Sequence, residues 1–93
     1  MADEQDVTEE ELLEALAQLK VADVLVQALT TISSLAWHRL SEDGRDLDQA
    51  RLAIETLRAV GPLLRDSVPS ELARDLEQVT ANLQLAYAKA VET

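Results

Sequence analysis

Residues 24–37, VLVQALTTISSLAW, decide the fold of this chain, because fourteen successive side chains carry no charge. The stretch belongs to a longer pattern in which apolar residues recur every three or four positions from Leu12 to Leu40. This spacing is typical of an amphipathic helix. It predicts a long first helix over residues 8–40, and whether that helix bends near Lys20 stays open.

The start of this helix is marked by a capping signal. Thr8 stands three residues before Glu11, the spacing at which the hydroxyl caps the helix and the carboxylate reaches back to the cap. Acidic residues in a first turn also suit the helix dipole. Residues 1–7 hold few apolar side chains with which to offset the entropy of ordering, and we predict that they are disordered.

Two further helices are predicted downstream, over residues 46–66 and 68–91. Asp46 and Gln49 have capping-box spacing at the start of the first of them. In both, apolar residues alternate at steps of three and four, which is the pattern of helices that pack together. The pattern runs through Leu47, Ala50, Ile54, Leu57, Gly61 and Leu64, and then through Leu72, Leu76, Val79, Leu83, Ala86 and Ala90.

The breaks between helices have their own signals. The polar segment 41–46, SEDGRD, predicts a turn in which Gly44 supplies the left-handed conformation that turns often require. Pro62 follows Gly61 and removes a backbone donor, which predicts a kink in the second helix.

The composition supports an all-α domain. Two glycines and two prolines leave little turn chemistry for a sheet, and the 47% hydrophobic residues include no Phe. A chain of 93 residues holds one core. We therefore predict a single domain over residues 8–93, a three-helix antiparallel bundle with a long first helix that dimerisation completes.

Charge and cysteine content exclude several classes of function. Eighteen acidic and eight basic residues give a net charge of −10, which would repel nucleic acid and anionic membranes. The absence of cysteine excludes disulfides and thiol chemistry. The acidic N-terminus is the opposite of a secretory signal, and we expect a cytoplasmic protein.

The first helix carries small or neutral groups on the side opposite its apolar stripe, where a solvated helix normally carries Lys and Glu. Two shorter helices cannot surround it, so we expect a second copy to cover the remainder as a two-fold homodimer. The candidate interface residues are Val24, Gln27, Ala28, Thr31, Ile32, Leu35 and Trp37.

Three arginines, Arg51, Arg58 and Arg65, recur at seven-residue spacing along the second helix. They predict a basic stripe that could receive an acidic segment, such as the N-terminal one, or a phosphate. The alternative is local pairing with Asp48 and Glu55 on the helix surface, which is the commoner role of such charges.

No residues support an enzyme or a metal site. His38 is the single histidine, with no second ligand for a metal and no nearby nucleophile, and we expect it to be solvated. Trp37 is expected to close the end of the core. We predict no catalytic residue, no cofactor, no metal, no direct nucleic-acid contact and no membrane span.

Three segments resemble a family of small bacterial helical proteins without known activity, well represented in actinobacteria. VADVLVQALTTISSLAWHRL, residues 21–40, looks like the long first helix of that family. DLDQARLAIETL, residues 46–57, is similar to its second-helix signature, and LQLAYAKAVE, residues 83–92, to its C-terminal end. The resemblance implies a helical fold, a bacterial cytoplasmic setting and, in some genomes, genes near those of translation initiation factors.

Two functional hypotheses follow. The first is a non-enzymatic helical interaction and oligomerisation module, an accessory protein that self-associates and can also meet a protein partner. The second is an acidic regulator that binds a basic partner, such as a ribosomal or nucleic-acid-binding protein, through the cluster from Glu9 to Glu14.

Overall fold

The computed structural model describes residues 8–92, and this part of the chain is all-α, as predicted, with no strand. Its four α-helices are α1 (Glu9–Gln18), α2 (Val21–Leu40), α3 (Leu47–Val60) and α4 (Ser70–Glu92). A 3-10 turn at Gly61–Leu64 follows α3 directly. The predicted disordered segment at residues 1–7 lies outside the described residues.

The prediction of a single long helix over residues 8–40 is wrong. The helix is interrupted at Leu19 and Lys20, where the sequence had left open whether it bends. Both residues have extended backbone, with φ and ψ of −81° and 139° at Leu19 and of −96° and 138° at Lys20. The amide of Leu19 still donates to the carbonyl of Leu16, at 3.2 Å, and closes the end of α1. Two separate helices, α1 and α2, therefore replace the predicted first helix.

The capping box at Thr8 and Glu11 is confirmed, and at Asp46 and Gln49 the side-chain cap is present without the reciprocal bond, because the amide of Asp46 donates to Arg39 instead. The hydroxyl of Thr8 accepts from the amide of Glu11 at 3.1 Å, and the amide of Thr8 donates to the Glu11 carboxylate at 3.1 Å. At the start of α3, the carboxylate of Asp46 accepts from the amide of Gln49 at 3.2 Å. Each cap satisfies a donor that the first helical turn leaves without a backbone partner.

Proline ends the regular part of the second predicted helix. The backbone stays right-handed helical at Gly61, but the hydrogen bonds tighten into the 3-10 turn that contains Pro62. The amide of Ser67 then donates to the carbonyl of Leu64 at 2.9 Å, and α4 begins after Pro69. A tighter turn follows α3 because the proline cannot donate an α-helical hydrogen bond.

The loop between α2 and α3 is held by hydrogen bonds to backbone carbonyls at the C-terminal end of α2. Arg45 donates to the carbonyl of Leu40 at 2.9 Å, and the amide of Asp46 donates to the carbonyl of Arg39 at 2.9 Å. Gly44 does not adopt the left-handed conformation predicted for it. A Cβ at that position would instead overlap the imidazole of His38, so a side chain there would require the exposed imidazole to move.

The core lies between α2, α3 and α4, which pack against one another pairwise. The two predicted packing patterns of α3 and α4 are buried or half-buried at every position. In α2, Ser33 is buried among apolar residues, and its hydroxyl donates to the carbonyls of Leu29 and Thr30 at 2.9 Å. The buried apolar residues are Leu29, Ala36, Leu40, Ala50, Ile54, Leu57, Leu64, Leu76, Leu83 and Ala90.

Helix α1 contributes nothing to this core. None of its residues is buried, and residues 8–20 are exposed throughout. The radius of gyration over Cα atoms is 17.1 Å, whereas a compact chain of this length has about 12 Å. The chain is therefore elongated, with a three-helix body and a separate helical arm.

Candidate interaction surface

An exposed apolar stripe runs along α2 beside its buried face. Its members are spaced at three, four, three and four residues, which places them on one side of the helix. All are exposed, including Val21 at 74%, Val24 at 47% and Leu35 at 51%. We call this surface the α2 stripe, and it consists of Val21, Val24, Ala28, Thr31 and Leu35.

The structure places four of the seven predicted interface residues, Val24, Ala28, Thr31 and Leu35, in the α2 stripe. Ile32 is half-buried and packs against the core. Gln27 is exposed but lies outside the stripe. Trp37 also lies outside it, and the expectation that it closes the core is wrong, because its side chain is 45% exposed and lines a shallow depression with Lys89.

The α2 stripe continues onto α3 through an apolar depression of about 170 Å³. Leu35 of the stripe and Leu52 of α3, which is 58% exposed, lie at this depression, with half-buried Ile32 between the helices. Sequence reasoning missed Leu52, because it falls outside the packing pattern of α3. An exposed leucine on the polar side of an amphipathic helix was the available signal.

The basic stripe lies along a different groove, between α3 and α4. Two adjoining depressions of about 220 and 270 Å³ form this α3–α4 groove, and both are lined by Arg58 and Gln84. Arg51 lines the second depression and Arg65 the first. Buried Leu57 and Leu76 lie in its lining, so the groove combines an apolar floor with a cationic edge.

Two of the three arginines pair on the surface. Arg51 contacts Glu55 at 3.0 Å and Arg65 contacts Glu77 at 3.1 Å, and all four side chains are more than half exposed. The hydrogen bond and charge of Glu55 raise the pKa of Arg51 above its ordinary value, and exposed pairs of this kind stabilise a fold only slightly. Arg58 has no ion-pair partner among the described residues, so its charge is available to a ligand.

The arm α1 carries a second exposed apolar surface, which the prediction of one long helix had assigned to the core. Its leucines at positions 12, 13 and 16, and Leu19 directly after the helix, are each between 54% and 65% exposed. Glutamates at positions 9, 10, 11 and 14 surround them, all of them exposed. An isolated helix of ten residues is marginally stable in water, and no residue of α1 is buried against the rest of the described chain.

No family model, curated protein or solved structure matches this chain. Within residues 8–92, no group of His, Cys, Asp or Glu side chains is arranged to hold a metal ion. The same part of the chain contains no helix that is long and apolar enough to span a membrane. The features of the described residues that invite binding are thus the α2 stripe, the α3–α4 groove and the arm.

Proposed function

We propose that this protein is a non-enzymatic helical module that self-associates through the α2 stripe to form a homodimer. The observation that carries the proposal is an exposed, mainly apolar stripe of which all members but Val21 lie inside the longest uncharged segment of the chain, residues 24–37. Exposed apolar patches on soluble proteins commonly mark interaction sites. Removing the side chains of Val24 and Leu35 from water is the driving force.

The net charge favours a second copy as the partner at this surface. Two chains that each carry a charge of −10 repel one another, so close contact is favoured where like charges do not meet. The α2 stripe meets this condition. A two-fold axis along it would bring identical uncharged surfaces together, with Leu52 of each copy at the edge.

In this proposal, α2, α3 and α4 form an antiparallel three-helix bundle that the dimer completes, and the protein acts as an accessory protein that holds other components through its remaining faces. The resemblance to small actinobacterial proteins is compatible with such a role, although it carries no activity. Membership of that family and a cytoplasmic location remain part of the proposal.

The test is the mass of the full-length protein in solution, measured by light scattering at micromolar concentration. We expect a dimer at both about 0.05 M and about 0.5 M salt, because an apolar interface does not depend on charges that salt screens. Leu35→Glu should give a monomer, since it places like charges opposite each other in the interface.

Ser34→Glu is the matched control, because Ser34 is exposed on α2 but lies outside the stripe. It should remain dimeric, and both variants should keep the helical circular dichroism of the parent. A monomeric parent protein, or equal effects of the two substitutions, would contradict self-association through the α2 stripe.

A second candidate function is an acidic regulator that binds a basic protein. It is favoured by the exposed glutamates of α1, none of which forms an ion pair within the described residues. Binding to poly-lysine that weakens strongly between low and high salt, and is lost when Glu10 and Glu14 are replaced by Gln, would support this candidate.

A further inference from the structure

We infer that the arm α1 of one copy docks in the α3–α4 groove of a second copy. The inference extends the proposed function, on which it rests for the identity of the partner. It gives a role to the two surfaces that the α2 stripe leaves unexplained, the leucines of α1 and the basic stripe.

The two surfaces are complementary in charge. The arm presents Glu9, Glu10, Glu11 and Glu14 around its leucines. The groove is edged by three arginines and by Glu55 and Glu77, which pair with two of them and leave Arg58 as the unpaired positive charge. Arg58 has no acidic partner within the described chain, so a glutamate from outside would be its first. A guanidinium can bind a carboxylate through two hydrogen bonds, which adds direction to the attraction.

The two surfaces also match in polarity and size. The groove has an apolar floor that includes Leu57 and Leu76, against which the leucines of an amphipathic helix can pack. Arg51 and Arg65 are fourteen positions apart, or about 21 Å of helix, and the ten residues of α1 extend about 15 Å. The arm therefore fits along the groove.

A second copy is the source of the arm, because residues 8–92 of a single chain leave both surfaces uncovered. No residue of α1 lines the groove, and none is buried. The linker of two residues, Leu19 and Lys20, spans at most about 7 Å. The groove is lined by α3, the 3-10 turn and α4 without any residue of α2, so α3 or α4 separates it from the helix to which the arm is joined.

The α2 stripe and this docking are compatible because α3 borders both surfaces. Leu52 lies on its side towards α2, and Arg51 and Arg58 line the groove towards α4. A partner copy seated on the α2 stripe is thus separated from the groove by α3, a width of about 10–12 Å that its arm has to cross. Reciprocal exchange of arms would close the dimer.

Disulfide cross-linking can test the inference directly, because the full-length chain contains no cysteine. One variant carries Ala15→Cys in the arm, and the other carries Ala81→Cys in the lining of the groove. We expect the mixed and oxidised variants to form a covalent heterodimer, identified by intact mass. The control replaces Ala81→Cys by Asn82→Cys, whose position is adjacent in sequence but does not line the groove.

Charge exchange provides the second readout. Adding Arg58→Glu to the chain with Ala81→Cys should lower the yield of heterodimer at least several-fold. Adding Glu14→Lys to the chain with Ala15→Cys should restore it. The yield should also fall between low and high salt, whereas the dimeric mass maintained by the α2 stripe should not.

Equal yields with Ala81→Cys and Asn82→Cys would overturn the inference. It would also be overturned if a chain with both Ala15→Cys and Ala81→Cys formed only an internal disulfide while the mixture formed no heterodimer. A parent protein that is dimeric by light scattering but gives no specific cross-link would contradict the docking of the arm and leave the proposed self-association intact. A monomeric parent would contradict the proposed function itself.

Discussion

Leu83 and Leu85 lie on the same helix but differ in how far their side chains are buried. Leu83 is fully buried between the helices, whereas Leu85, two positions later on α4, is 69% exposed. The pattern of steps of three and four already separates the two residues, because Leu83 belongs to it and Leu85 does not. Burial in the body of the protein follows that pattern closely in α3 and α4.

We expect Leu83→Ala to lower the free energy of unfolding by about 2–5 kcal/mol, because it removes a buried side chain and leaves a cavity. Leu85→Ala is the matched control and should change it by no more than about 0.5 kcal/mol. Urea denaturation followed by circular dichroism measures both. Similar losses for the two variants would mean that Leu85 is buried in an interface or that the core is packed differently.

Gly44 is a residue whose position was predicted for the wrong reason. The turn that it belongs to is present, but the backbone there is not left-handed. Its lack of a side chain leaves room for His38, which lies six positions earlier and approaches only because the loop folds back along α2. A contact of that kind depends on the path of the chain, which composition alone does not specify.

Among the elements, α1 and α3 are capped alike and packed differently. Thr8 and Asp46 each accept a hydrogen bond from the amide three residues later. The helix that Thr8 caps, α1, has no buried residue. The helix that Asp46 caps, α3, contributes Ala50, Ile54 and Leu57 to the core. The same local signal therefore serves a peripheral helix and a central one.

This difference predicts the outcome of removing each cap. Asp46→Ala should lower the free energy of global unfolding by about 0.5–2 kcal/mol, the usual effect of losing an N-cap. Thr8→Ala should leave global unfolding unchanged in dilute monomer and reduce only the helical signal of the arm, because α1 unfolds separately from the core. Denaturation curves measure the first effect and hydrogen exchange of the α1 amides measures the second.

Equal losses of global stability from both substitutions would show that α1 packs on the body of its own chain. Protection of α1 amides that rises with protein concentration in the parent, and less so in Thr8→Ala, would instead agree with docking of the arm in a second copy.

The break between α1 and α2 coincides with a change in the spacing of apolar residues. Buried or half-buried positions of α2 recur at alternating steps of four and three residues from Ala22 to Leu40. The step from Leu16 to Leu19 is three residues, and the step from Leu19 to Ala22 is again three. A pattern that alternates steps of three and four would require four residues for the second step. A step of four from Leu19 would reach Asp23 and place its carboxylate on the apolar side. The two helices therefore cannot share one continuous buried stripe.

On the scale of the whole molecule, the elongated shape is the main consequence of that break. The three-helix body buries its own apolar patterns, and the arm extends from it with its leucines exposed. Together with the α2 stripe, this leaves the chain with more apolar surface than a compact monomer of its length would present.

Small-angle X-ray scattering checks this shape. For dilute monomer, or for the Leu35→Glu variant if it is monomeric, we expect a radius of gyration near the 17.1 Å of the Cα atoms. A compact chain with the arm folded onto its own body would give about 12 Å. The smaller value would contradict both the free arm and its docking in a second copy.

The sequence by itself determined the helical class, the capping residues Thr8 and Asp46 and the buried positions of α3 and α4. These depend on local periodicity and on contacts a few residues apart. The tertiary structure decided that α1 leaves the body, that Leu52 adjoins the α2 stripe and that the three exposed arginines lie along a groove between α3 and α4. Those features depend on which side of one helix faces another, and only the packing of the helices sets that.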